Sequence, residues 1–250
     1  MPNSSSNDKD DIRFVLVRTS HPGNIGAAAR AMKTMDCREL MLVAPRRFPD
    51  PEAEDRAVGA ADILAAARVV NSVAEAVADC HFVVATTARE RSVRWPALTP
   101  REAAARLRAE AGQGPVALMF GEERTGLTNE ELELCHAAVT IPTADDFRSL
   151  NLAAAVQILA YEILLAQAEP TDAEAGEENA PLADGEAMRR FYEHLERALL
   201  DIDFVKSFPP TRLMRKLARL FNRTGLTKEE VQLLRGILTA AQERHRKGEG

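Results

Sequence analysis

Apolar residues recur in two different rhythms along this chain. The short runs I-R-F-V-L-V (12–17), E-L-M-L-V-A-P (39–45), F-V-V-A-T-T (82–87), P-V-A-L-M-F-G (115–121) and A-V-T-I-P (138–142) are nearly continuous in apolar and β-branched residues. That is the pattern of strands buried on both faces of a parallel sheet. A-R-V-V (67–70) is a weaker sixth strand. Between them lie A-A-A-R-A-M-K-T-M (27–35), P-R-E-A-A-A-R-L-R-A-E-A (100–111) and L-N-L-A-A-A-V-Q-I-L-A-Y-E-I-L-L-A-Q (150–167), which read as helices. The alternation predicts an α/β domain over residues 1–167, a mostly parallel sheet with helices on both faces.

The rhythm then breaks. Residues 168–186 are acidic, rich in Ala, Gly and Pro and without apolar periodicity, so they read as a flexible linker. Beyond them, M-R-R-F-Y-E-H-L-E-R-A-L-L (188–200), P-P-T-R-L-M-R-K-L-A-R-L-F-N-R (209–223) and T-K-E-E-V-Q-L-L-R-G-I-L (227–238) predict a small all-helical domain at 187–250. Thr227 and Glu230 stand in capping-box spacing at the start of the last.

Charge sharpens this division. The net charge of −6 argues against a nucleic-acid partner only as an average. Residues 1–167 carry 18 Lys and Arg against 23 Asp and Glu, and residues 168–186 carry seven acids and no base. Residues 187–247 carry 14 bases against seven acids, a local +7. Local potential governs binding, so this segment can meet phosphates. Arg212, Arg215, Lys216, Arg219 and Arg223 follow a three-or-four spacing, hence one helical stripe. It is either an RNA-binding face or a solvated one.

Composition also excludes some classes. The polar, acidic N-terminus has no apolar h-region. No apolar run approaches the roughly 18 residues of a membrane span, so a cytoplasmic protein is expected. Cys37, Cys80 and Cys135 are widely spaced without a C-x-x-C pair, which argues against disulfides and structural zinc and for small buried side chains. The five histidines are scattered, and no metal is expected.

Three stretches carry chemistry. R-T-S-H-P-G-N-I-G-A-A-A-R-A-M (18–32) follows the first strand. Pro22 and Gly23 turn the chain, and Gly26 with three alanines lets a helix pack tightly on the sheet. Asn24 either caps that helix or reaches a ligand. A dinucleotide fingerprint fails here, because Asn24 replaces its first glycine and no carboxylate follows the second strand. In V-A-L-M-F-G-E-E-R-T-G-L-T-N-E-E-L (116–132), Gly121 would let a ligand approach the backbone. Glu122, Glu123 and Arg124 crowd a loop at the edge where open α/β sheets bind ligands. In I-P-T-A-D-D-F-R-S-L-N-L-A-A-A-V (141–156), a loop leads through Ser149, an N-cap or a site residue, into an apolar helix.

Together these stretches resemble the SpoU branch of the SPOUT methyltransferases. Asn24, Gly26, Ala29 and Arg30 match its N-x-G-x-x-A-R motif. Phe120, Gly121, Glu123, Gly126 and Leu127 match F-G-x-E-x-x-G-L. Ile141 and Pro142, then Ser149, Leu150, Asn151 and Leu152 through Val156, match I-P…S-L-N-L-A-x-A-V. The resemblance implies a sheet threaded into a trefoil knot, which periodicity would never propose because knots are almost absent from proteins. It implies S-adenosylmethionine bent in that knot, touching Thr86, Thr87, Ala88, Gly121, Ile141, Arg148, Ser149 and Leu150, several through backbone groups. T-S-H-P-G-N-I-G-A-A-A-R-A-M-K-T-M and the helical tail are similar to members that methylate the ribose 2′-hydroxyl at tRNA position 32. A ribosomal-RNA methylase of the same family and a non-catalytic RNA-binding relative are the alternatives.

Methyl transfer to a ribose hydroxyl needs alignment and a cation near the developing alkoxide. Arg30 is the candidate, with Asn24, Glu123, Ser149 and Asn151 shaping the site. The family often assigns this arginine as general base, yet a guanidinium pKa above about 12 argues for stabilisation instead, with an RNA phosphate or water taking the proton. The resemblance further implies a homodimer with shared sites. Small Ala27, Ala28 and Ala31 permit close approach of another helix. Leu152, Val156, Leu159, Ile163 and Leu164 make the 150–167 helix apolar on several sides, buried in the domain or against a partner.

Overall fold

The computed structural model describes residues 12–88, 97–146, 149–168, 181–205 and 210–248. The chain divides into two compact units, Met1–Glu174 and Ala175–Gly250. In the first, every anticipated strand joins one sheet: β1 (Ile12–Val17), β2 (Leu40–Val43), β3 (Arg68–Val70), β4 (Phe82–Thr86), β5 (Ala97–Leu98), β6 (Val116–Phe120) and β7 (Ala137–Val139). The order is β3-β2-β1-β6-β4-β7-β5, and all pairings are parallel. β5, two residues long, is too short to leave a periodic signal. The last anticipated strand ends at Val139, and Thr140–Pro142 leave the sheet as a loop.

Alternate residues of each strand face opposite layers. Val15, Val17, Met41, Val43, Val83, Ala85, Ala117 and Met119 form one core with Val73, Ala76 and Val77 of or beside α4 (Val73–Ala76) and Leu132 of α6 (Asn129–Leu132). On the other layer Phe14 and Phe120 stack at 6.0 Å. Over that layer α5 (Pro100–Ala111) packs on β1, β4 and β6. α7 (Leu152–Ala168) packs on both α5 and α1 (Pro22–Thr34). One side of α7's apolar surface is therefore covered within the domain: Val156, Leu159, Ala160 and Ile163 are buried there. On its other sides Ile158, Leu164 and Leu165 are half-buried and Tyr161 is 47% exposed, so the domain's own core covers only part of the helix.

α1 starts at Pro22, earlier than its alanine run suggests, because proline is compatible with a first helical turn. Its close packing is also not against the sheet. A Cβ on Gly26 would lie 2.0 Å from the carbonyl oxygen of Ala53, so Gly26 admits the backbone of α2 (Pro51–Ala57). The short helices α2, α3 (Ala61–Ala66), α4 and α6 have no long apolar period, which is why the sequence pattern missed them. Cys37, Cys80 and Cys135 are all buried, and burial pushes the Cys80 thiol up to about 12.

In the second unit α8 (Gly185–Asp201), α9 (Thr211–Thr224) and α10 (Lys228–Gly248) enclose Met188, Phe191, Leu195 and Val231, with Met214, Leu217, Phe221 and Leu234 packed around them. Leu182, from the acidic stretch, bridges to Thr227, and Asp184 caps α8 by accepting from the Ala187 amide at 2.8 Å. The Thr227 capping box forms as expected: the Thr227 amide donates to Glu230 at 2.8 Å and the Glu230 amide to Thr227 Oγ1 at 3.2 Å. Among the described residues, no helix is long and apolar enough to cross a membrane.

Candidate active site

Because the strands are parallel, the loops after β1, β4, β6 and β7 all emerge at one edge of the sheet. This is where open α/β sheets place ligands. Glu123, after β6, ties two of these loops together. Its carboxylate accepts from the Ser20 amide (3.0 Å), Ser20 Oγ (2.9 Å), the His21 amide (3.4 Å) and Asn24 Nδ2 (2.9 Å). Burial alone would push its pKa up; the bonds from Asn24 and Ser20 outweigh that and hold it below the usual carboxylate range.

The third motif joins through an amide relay. Asn151 Nδ2 donates to Asn24 Oδ1 at 3.0 Å. Asn151 Oδ1 in turn accepts from the Ala153 and Ala154 amides at 2.9 and 3.4 Å, capping α7. The helix caps are thus reassigned. His21 caps α1 through its ring, Asn151 rather than Ser149 caps α7, and Asn24 lies inside α1 with its amide committed to the relay.

Above this network is a cavity of about 650 Å³, lined by Thr86, Thr87, Ala88, Gly121, Glu123, Ile141, Ser149 and Leu150, among others. Its size suits a small-molecule site. Seven of the eight anticipated cofactor contacts line it; the eighth, Arg148, lies outside the described residues. Phe120, Leu127, Leu152 and Ala155 of the motifs, with Leu132 and Val139 from outside them, supply apolar wall. The Thr86 and Thr87 hydroxyls and the loop backbone offer polar partners, so the lining suits a ligand with an apolar ring and a polar tail.

Gly121 lines this cavity, but the reason for a glycine differs from the one anticipated. A Cβ there would sit 2.3 Å from Gly126 C and Leu127 N. The missing side chain makes room for the loop's own backbone rather than for a ligand. Arg18 and Glu131 are the pair that sequence reading missed. Arg18, in the left-handed region at φ 50°, follows β1 directly, and its guanidinium pairs with Glu131, with Nη2–Oε2 at 3.0 Å. Glu131 also accepts from the Thr128 amide at 2.7 Å. This fixes the short helix that presents Leu132 to the cavity. Nothing in a local motif links positions so far apart in sequence.

Arg30 is not brought to this cavity. It is exposed on α1, does not line the pocket, and its side chain makes no hydrogen bond or ion pair among the described residues. It stands six residues, or roughly 9 Å of helix rise, beyond Asn24. Of the small α1 residues, Ala28 and Ala31 are buried in their own domain, while Ala27 is half-buried. In the C-terminal unit Arg212, Arg215, Lys216 and Arg223 are exposed on α9 and Arg219 is half-buried, so the basic stripe is displayed.

Residues 11–161 match the SpoU rRNA Methylase family, and residues 186–250 match the C-terminal domain of the tRNA methyltransferase TrmJ. The chain belongs to the TrmJ group of SpoU methyltransferases. It is 50% identical over 242 residues to the tRNA (cytidine/uridine/adenosine-2′-O-)-methyltransferase TrmJ of Pseudomonas aeruginosa, covering 93% of this chain and 94% of that one. The crystal structure of TrmJ from Zymomonas mobilis superposes with a TM-score of 0.80 at 37% identity, covering 92% of this chain and 98% of that one. The SpoU methyltransferase AviRb from Streptomyces viridochromogenes, solved with AdoMet, shares the fold at a TM-score of 0.51 and 23% identity over 64% of this chain and 61% of its own. TrmJ-type chains thus keep both units seen here, the methylase domain and the helical tail.

Proposed function

We propose that this chain transfers a methyl group from S-adenosylmethionine to the ribose 2′-hydroxyl of a tRNA anticodon-loop nucleotide, a cytidine or uridine at position 32, in the cytoplasm. The observation that carries the reading is the cavity at the sheet edge, which gathers seven of the expected cofactor contacts from three separate loops. The matched tRNA-methyltransferase tail, with its displayed α9 stripe, supports tRNA over ribosomal RNA. The strand order, with β7 between β4 and β5, and the family together support a knotted crossing behind the site.

The bound cofactor supplies an activated methyl group, and the chain supplies alignment. Thr86, Thr87, Ala88, Gly121, Ile141, Ser149 and Leu150, with Arg148, hold it. Asn24, Glu123 and Asn151 act one step back: their relay fixes the loop after β6 against α1 and the start of α7. Arg30, which has no side-chain partner among the described residues, stabilises the developing alkoxide. Its distance from its own chain's cavity supports a homodimer in which Arg30 serves the cofactor held by the other subunit. Leu182 to Glu186, read from the sequence as linker, belong to the helical unit, and Arg212, Arg215, Lys216, Arg219 and Arg223 of that unit grip phosphates.

The test is complementation between two inactive variants. Ala155→Phe fills the cavity from α7; Gly121 is left intact, because a side chain there would clash with the backbone of Gly126 and Leu127. Arg30→Ala and Ala155→Phe are purified separately and mixed under exchange. Mixed dimers with a shared site hold one intact site, so methylation of tRNA by labelled cofactor returns. Confirmed exchange without recovered activity rules the shared site out.

A further inference from the structure

α10 shows the second unit's core only one of its faces. Val231, Leu234 and Leu238 pack inward, while Leu233 and Ile237 are 66% and 56% exposed. At 100° per residue, Glu229, Leu233, Gly236, Ile237, Ala240, Arg244 and Lys247 fall in one outward stripe; all seven are exposed. Isolated exposed apolar residues are ordinary, but here they are contiguous.

Gly236 adds a second observation. A Cβ there would meet nothing within 4 Å, so no packing inside this unit requires a glycine. In a helix interior glycine costs about 1 kcal/mol relative to alanine, and what it offers in return is close approach by a second backbone.

The charges on the stripe say which backbone. Glu229 and Arg244 stand at opposite ends, and neither has a side-chain partner among the described residues. An antiparallel copy related by a twofold axis between Gly236 and Ile237 sets Leu233 opposite Ala240 and Glu229 opposite Arg244. The stripe is complementary to itself, as a twofold interface requires.

We propose that the helical C-terminal units of two copies pair antiparallel through α10, glycine against isoleucine at the axis, with their α9 basic stripes left free for tRNA. This rests on the homodimer proposed above. A patch of this size is weak alone, and tethering to a dimer supplies the effective concentration that makes it form.

The experiment uses the full chain with Gly236→Cys, and with Thr239→Cys, exposed off the stripe, as control. The native cysteines are buried and contribute little background. Mild oxidation should give roughly ten-fold more covalent dimer from Gly236→Cys than from Thr239→Cys, through local concentration at the axis. Adding Glu229→Arg should abolish the excess, and Glu229→Arg with Arg244→Glu should restore it. A chain that is dimeric by light scattering yet shows no excess overturns the α10 pairing alone, as does an excess indifferent to the charge swaps. A monomeric chain overturns the homodimer and this pairing with it. Protection of the stripe by tRNA, or by the methylase unit, without cross-linking assigns it another occupant and overturns the proposal.

Discussion

Replacing Glu123 by glutamine tests whether the relay holds the site together. The change keeps the side chain's shape but turns one acceptor oxygen into a donor. The network cannot absorb it by flipping amides. Asn151 Oδ1 is committed to the Ala153 amide, so Asn151 presents its Nδ2 to Asn24. Asn24 must therefore present Oδ1 to Asn151 and Nδ2 to residue 123. A glutamine satisfying Asn24 with its oxygen turns its amide nitrogen to Ser20. The Ser20 hydroxyl can rotate to accept, but the Ser20 backbone amide, 3.0 Å away, cannot. One partly buried N–H is left unpaired, at a cost of about 1–3 kcal/mol. For a unit of this size each kcal/mol lowers Tm by roughly 2–4 °C, so a fall of about 4–8 °C is expected for a central value of about 2 kcal/mol. Scanning fluorimetry reads it, and S-adenosylmethionine affinity should weaken in parallel because Glu123 also lines the cavity. The sign with pH is fixed. The folded-state pKa is depressed, so the wild-type advantage is full above the unfolded carboxylate pKa and disappears as pH falls through the lower folded value. A Tm within 1 °C of wild type at pH 7 (a change of about 0.3–0.5 kcal/mol), with unchanged kcat/KM, would refute the relay.

Three further outcomes are expected. Gly121→Ala should lower thermal stability as well as cofactor binding, since its Cβ meets the backbone of Gly126 and Leu127; calorimetry showing weak binding with unchanged Tm would point instead to a ligand contact. Cutting the chain after residue 167 should leave S-adenosylmethionine binding intact, weaken tRNA binding and flatten the dependence of log Kd on log salt; full tRNA methylation by the truncated chain would contradict the phosphate-gripping role. Burial, with the Val83 amide donating to His136 Nδ1 at 3.0 Å, keeps His136 neutral down to about 4. The unfolded chain binds that proton near 6.5, so stability should fall by about 3 kcal/mol as pH drops from 6.5 to 4, and His136→Phe should lose that part of the acid sensitivity in chemical denaturation.

The methylase strands and the amphipathic C-terminal helices were legible in the sequence because burial on one face or both imposes a local period that residues repeat. The three motifs were legible for a different reason: their small and polar residues interrupt those periods at strand ends. Residues 12–17 and 116–120 could be recognised as strands without knowing that they are neighbours. What joins the motifs is non-local. Glu123 meets Ser20 and Asn24 about a hundred positions away, and Arg18 meets Glu131, only because β1 and β6 lie side by side. The same neighbourhood decided why Gly121 and Gly26 are glycines, since the backbones that crowd them belong to a following loop and another helix. It also decided that Val156, Leu159 and Ile163 of α7 are buried inside its own domain and that Arg30 stands away from its own cavity. Periodicity records whether a position is buried; which atoms bury it is set by the fold.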